Sequence, residues 1–259
     1  MDQTGYSDGL NPLQSAIKIP VIHGLIRRRL LLNYRIDPDV VGKLLPRPFR
    51  PKLHRGYAIA GICLIRLEKI RPKGFPAFVG VSSENSAHRI AVTWTDSDGQ
   101  ERDGVFIPRR DTGAWLNSVT GGRIFPGVHH YSRFEVNDQG AEIDIDVSAK
   151  DHRESLLQVS ASVTDHLPKD SVFESLRASS DFFESGCVGY SPRLQSEILD
   201  GLLLKVTNWE VTPLNIHHLN SAYFDNRAVF RKGAIHFDHA LLMRDIDHEW
   251  HAEPNMRVE

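Results

Sequence analysis

The sequence predicts an α+β fold, mostly antiparallel and built as a single domain. Three observations carry this. Roughly nine or ten segments read as strands by alternation or by short apolar runs. Only a few short stretches carry helix caps. No linker, internal repeat or low-complexity segment divides the 259 residues. A single domain of this length buries about 70% of its unfolded surface and needs no staples.

Composition narrows the partners. Lys and Arg total 31 against 33 for Asp and Glu, a net charge of -2, so neither nucleic acid nor a membrane is expected as a partner. Cys63 and Cys187 are too few for a disulfide framework, and Cys63, in an apolar strand, is expected to be a buried thiol. No secretory leader is recognised and no apolar run reaches roughly 18 residues. A soluble cytoplasmic protein is the expectation, with homo-oligomerisation left open.

Residues 1–19 are polar and are expected to form a loose tail, with one domain over 20–259. Leu25 to Ile36 reads as a strand, with Ile26, Arg28, Leu30, Leu32 and Tyr34 on one face and Arg27, Arg29, Leu31, Asn33 and Arg35 on the other. Asp37-Pro38 caps a short helix that stops at Pro46. Tyr57 to Glu68 is a strongly apolar strand. His88–Thr95 and Arg102–Pro108 form a predicted hairpin through Ser97-Asp98-Gly99. Phe134–Val136 and Ile143–Ala149 form another, turned at 137–140, and Ser155–Thr164 follows as a strand. Ser171 and Glu174 suggest a capping box before Leu176, with a second short helix near Ser180–Glu184 that stops at Gly186. Strands return at Leu202–Val211, Ala222–Phe224 and Ala234–Arg244.

Near the middle lies Thr120-Gly-Gly-Arg-Ile-Phe-Pro-Gly-Val-His-His-Tyr-Ser-Arg-Phe-Glu135. Asp111 or Thr112 is expected to cap a short helix containing Trp115 and Val119, which Gly121-Gly122 end. After Pro126-Gly127 a strand begins, and it turns His129 and His130 to opposite faces. On the residues alone this is a structural corner with a hydrogen-bonded histidine, or a site.

Gly-Gly-Arg…Pro-Gly-Val-His-His resembles a stretch of the acetoacetate decarboxylase-like superfamily, and more closely an uncharacterised "domain of unknown function" branch in which His-His occurs at this place. Phe182-Phe183-Glu-Ser-Gly186, Gly189-Tyr190-Ser191-Pro192, Trp209-x-Val211-x-Pro213-Leu214, Ser221-x-Tyr223-Phe224-Asp225, and Phe237-Asp238-His239-Ala240 through Trp250 resemble segments of that branch. Tyr34-Arg-x-Asp-Pro is similar to the superfamily as well. The resemblance spans roughly residues 20 to 252. It implies a curved double sheet, cone-like, closing around a ligand cavity.

It also implies where chemistry would sit. The decarboxylase forms a Schiff base through one of two adjacent lysines. Here His129-His130 stand in that place, and imidazole does not form the same imine, so acetoacetate decarboxylation is disfavoured. Histidine can exchange protons near neutral pH. Glu84, in Val79-Gly-Val-Ser-Ser-Glu84, resembles the superfamily's cavity-lining glutamate, a candidate acid or base; otherwise it is an exposed loop residue. Arg27 lies seven residues before Tyr34, near the spacing of the family's substrate-contacting arginine, although Arg27-Arg28-Arg29 blurs the register. Bidentate arginine suits a carboxylate; a solvated edge strand is the other reading. Arg109 and Arg110 offer further anion contacts or plain surface charge. Lys205, within an apolar run, is the best substitute for the missing lysine, or else an edge-strand lysine.

Metal ligation finds little support. There are 13 histidines, but His236-x-x-His239 and His248-x-x-His251 lack the i, i+4 spacing of a helical zinc pair. No phosphate loop, nucleophile elbow or Cys-x-x-Cys pair occurs, and no cofactor is expected.

The resulting expectation is an enzyme that binds a small oxo or hydroxy organic acid and acts by acid/base chemistry, lyase- or hydratase-like, without a Schiff-base lysine. Glu84 and His129 or His130 would move protons, and Arg27, Arg109 and Arg110 would hold the acid. The rival is a non-catalytic binding protein that kept the cavity.

Overall fold

The computed structural model describes residues 20–114, 127–151, 154–194 and 196–258. Thirteen strands among them join in one sheet: β1 (Ile22–Ile36), β2 (Arg50–Pro51), β3 (Leu53–His54), β4 (Tyr57–Pro72), β5 (Val81–Thr95), β6 (Glu101–Thr112), β7 (His129–Asp138), β8 (Glu142–Ala149), β9 (Ser155–Val163), β10 (Val188–Pro192), β11 (Ile198–Val206), β12 (Thr212–Ser221) and β13 (Ile235–Arg257). Two α-helices accompany them, α1 (Pro38–Gly42) and α2 (Leu176–Ser185). The predicted sheet-rich α+β fold is what forms. Most pairings are antiparallel; β6 runs parallel to both β7 and β10.

The sheet closes on itself twice. The order β6-β7-β8-β9-β12-β13-β1-β4-β5 returns to β6 through the β5–β6 pairing. A second circuit leaves β6 for β10 and β11 and rejoins at β13. The strands β13-β1-β4-β5-β6 are thus a shared wall with both faces covered. Its strands accordingly read as near-continuous apolar runs rather than clean alternation. Period two then assigns neighbours to different cores: Leu30 and Leu32 pack with Ile62, Leu64, Ile145 and Val159, whereas Leu31 packs with Cys63, Ile65, Phe183 and Leu241.

Alternation fails at one place, and the failure matters. Ile26 belongs to the core of Leu31, not to that of Leu30. The pairing of β1 with β4 slips by one residue between Ile26 and Arg28, so Arg27 is the extra residue of a bulge. Asp245, opposite it on β13, adopts φ of 54°. The expected sharing of one face by Ile26 and Arg28 is therefore corrected by the bulge.

Several local expectations hold. Asp37 caps α1, accepting from the Asp39 amide at 2.9 Å. The 96–100 turn joins β5 to β6, with Asp96 accepting the amides of Asp98 and Gln100. Others are corrected. Asp111 and Thr112 lie in β6 rather than capping a helix, and the expected helix around Trp115 to Val119 lies outside the described residues. Ser175, not Ser171, caps α2, accepting from Ala178 at 3.1 Å. The Ser171 hydroxyl is drawn to Asp238 instead, at 2.7 Å. The two short helices merge into this one, which ends at Gly186. Residues 222–224 form a turn, tied by Asp225 to the amide of Ser221 at 2.8 Å. No described helix is long and apolar enough to cross a membrane.

Candidate ligand site

Between the shared wall and the β10–β11 side lies a cavity of about 120 Å³. Ile65, Leu67, Ile107, Leu204, Trp209 and Trp250 supply its apolar walls, and Phe183 from α2 borders it. The polar residues that line it are Arg29, Asn85, Ser86, Arg89, Arg110, Asp111 and His129, together with Cys63 and Cys187. Among the described residues no lysine lines it.

Three guanidinium groups converge there from three strands. Arg29, on β1, turns away from Arg28 and donates from Nε to Cys63 Sγ at 3.4 Å, with its head 5.5 Å from the centre of the Trp209 ring. Arg110, on β6, donates from Nε to Ser191 Oγ at 3.0 Å. Arg89, on β5, is buried, bonds to Asn33 Oδ1, and lies 4.6 Å over the Phe183 ring. None of the three meets a carboxylate among the described residues. Burial pushes Arg89 down to about 10, with the nearby Arg29 charge adding to it, and burial pushes Arg110 down to about 10 as well. Among the described residues Asp111 is the one acid at the lining, and it is already occupied: Arg109 donates to it at 2.9 Å and Ser132 at 3.0 Å.

Arg89 is held by a chain of buried polar groups. His239, Asn33, Gly61 and Arg89 occupy one row across β13, β1, β4 and β5. Gly61 lacks the side chain that would otherwise separate Asn33 from Arg89. Arginine only donates, so Asn33 turns its oxygen to Arg89 and its amide nitrogen to His239 Nε2, 3.1 Å away. Ser179 Oγ reaches the same nitrogen at 2.7 Å. Nε2 is therefore the acceptor, and the imidazole proton sits on Nδ1, donated to Asp238 at 2.6 Å. Burial lowers the His239 pKa, which keeps the ring neutral. Burial would raise the Asp238 carboxyl, but bonds from His239, Val172 and Ser171 outweigh it and hold it at about 2. The sequence pointed to Asp238-His239 only as part of a family-like segment. Asn33 and Arg89 carried no local signal, except that polar residues in buried runs need partners.

The predicted site residues divide. His129 is half-buried at the cavity, paired in register with Arg110, whereas its neighbour His130 is exposed. Arg110 lines the cavity; Arg109 is spent on Asp111. Arg27 points to solvent, where it meets Glu68 at 3.1 Å and Asp245 at 2.5 Å. Glu84 is on the opposite face of β5 from Asn85 and outside the cavity lining. There it accepts from Arg28 at 2.8 Å, within a cluster that also holds Asp138, Arg244 and Arg66. Burial raises the Glu84 carboxyl above its ordinary value, opposed by Arg28 and Arg66. Lys205 is exposed on β11.

The comparisons agree with this architecture. A family model for DUF2071, described as "Uncharacterized conserved protein", matches residues 25–226. No match was found among curated protein sequences. The fold is similar to that of an acetoacetate decarboxylase from Legionella pneumophila, at 12% identity and a TM-score of 0.60, covering 100% of this chain and 99% of that one. It is also similar to an acetoacetate decarboxylase-like enzyme from Sphingomonas wittichii, at 14% identity and a TM-score of 0.57, covering 99% and 100%. The enduracididine biosynthesis enzyme MppR complexed with pyruvate is a third, at 12% identity and a TM-score of 0.54, covering 100% and 99%.

Proposed function

This chain belongs to the DUF2071 family and has the acetoacetate decarboxylase-like fold, and from that premise we propose that its cavity binds a small oxo or hydroxy organic acid and moves protons on it without forming an imine. The observation that carries the reading is the set Arg29, Arg89 and Arg110. Three partly or wholly buried cations without carboxylate partners are costly unless an anion completes them. MppR, a protein of the same fold, is complexed with pyruvate, and that agrees with an oxo acid.

The proton carrier in this reading is His129, the one imidazole among the described cavity residues. Imidazole takes a proton from the carbon next to the oxo group. The electron pair of that C–H bond moves onto the carbonyl oxygen, and an arginine stabilises the resulting enolate charge. Return of the proton, or its delivery elsewhere, completes enolisation, hydration or aldol-type chemistry. Arg109, paired with Asp111, has no direct part. Glu84 has no direct part; it fixes Arg28 on the other face.

The rival reading is a binding protein without chemistry. The placement of Glu84 favours it, since no carboxylate stands free to work with His129 among the described cavity residues. Solvent-deuterium exchange distinguishes the two. Incubation of oxo acids in D2O should show exchange at the carbon beside the oxo group by NMR, reduced about 10²–10⁴-fold in His129→Gln. Binding without exchange would sink the enzyme and leave the binder; no binding of any small acid would sink both.

A further inference from the structure

The charge balance of the cavity goes further than one carboxylate. Arg29, Arg89 and Arg110 bring three positive charges, and Asp111, the one acid at the described lining, is neutralised by Arg109 at 2.9 Å. Their donors are also underused. A guanidinium offers five N–H groups. Arg29 bonds to sulfur atoms of Cys63 and Met243, Arg110 to Ser191 and Arg89 to Asn33, while Arg89 Nε is buried with no partner. A monoacid would leave two buried cations uncompensated.

The cations enter from separate strands. Arg89 lies diagonal to Arg110 across β5 and β6, since Ala87 is the register partner of Arg110, and Arg29 comes from β1 with its Nε at Cys63 Sγ. Arg110 stands with Ser191 and in register with His129. Between and around them are hydrocarbon walls from Ile65, Leu67, Ile107 and Leu204. The space, about 120 Å³, suits a short chain.

Building on the small-acid reading above, we propose that the ligand is a short aliphatic dicarboxylate. Its two carboxylates are shared among Arg29, Arg89 and Arg110, and the methylenes lie against the apolar walls.

Titration calorimetry of the full chain tests this with matched pairs at constant ionic strength: succinate against butyrate, and 2-oxoglutarate against 2-oxopentanoate. Each diacid is expected to bind at least tenfold more tightly than its monoacid. In Arg110→Gln the diacid should lose most of that advantage, while monoacid binding persists. Equal affinity of mono- and diacids for the wild type would overturn the proposal and leave the small-acid reading standing. Failure of all four acids to bind would overturn both. The wild-type comparison decides the question even if Arg110→Gln does not fold.

Discussion

Arg28 and Arg29 are consecutive in β1, yet their guanidinium groups go to opposite faces of the shared wall: Arg28 to Glu84 at 2.8 Å, Arg29 to Cys63 Sγ at 3.4 Å. One is neutralised by Glu84 and Asp138, and the other meets no carboxylate among the described residues. Their removal should therefore have opposite consequences. Arg28→Met leaves partly buried Glu84 without its nearest cation and should cost about 3–5 kcal/mol in urea unfolding. Arg29→Met removes an uncompensated charge and should be neutral or stabilising while weakening anion binding. Equal destabilisation by both would contradict this division.

The row His239–Asn33–Gly61–Arg89 should be sensitive at its smallest and its central members. Asn33→Leu leaves Arg89 and His239 each short of a partner and should cost about 1–3 kcal/mol. At Gly61 an added Cβ would meet Leu32 O at 2.2 Å; that contact is with backbone and cannot give by a side-chain rotation. Gly61→Ala should therefore destabilise by at least the ~1–3 kcal/mol typical of overpacking. Chemical denaturation of both variants checks this, and a wild-type midpoint for either would refute it.

Acid should unfold the protein in two stages. Buried His88 and His248 are pushed down to about 4 by desolvation. Between about 6.5 and 4 the unfolded chain binds protons that the folded chain refuses, so stability falls as pH falls through that window. Asp138, bonded to Arg244, and Asp238 are held at about 2. Their stabilisation is full above the ordinary carboxylate pKa near 3.8 and is lost as pH falls toward 2. Melting temperature against pH should show both declines, and His88→Phe should flatten the first. An unchanged slope in that variant would exclude His88 as a contributor.

Borohydride treatment with acetoacetate should leave the intact mass unchanged, because no lysine is among the described cavity residues and Lys205 is exposed. A reduced adduct on any lysine would restore imine chemistry.

Much of this molecule is legible without coordinates. Alternation in β1 already separates Leu30 and Leu32 from Leu31, and Asp37-Pro38 announces α1, because period and capping are local properties of a few residues. His129-His130 at a strand start already means one inward and one outward ring. The identity of the anion-facing arginine is not local. It turns on one extra residue at Arg27, set by how β1 registers against β4, and that slip takes Arg27 off the face it would otherwise share with Arg29. The partners of Glu84 and Arg89 likewise come from strands far apart in sequence, Arg28 and Asp138 for one, Asn33 for the other. Such pairings follow from sheet closure, which brings distant strands together and leaves each charge whichever neighbours the register supplies. Residue type and spacing gave the inventory of acids and bases; only the tertiary structure decided which of them neutralise one another and which remain for a ligand.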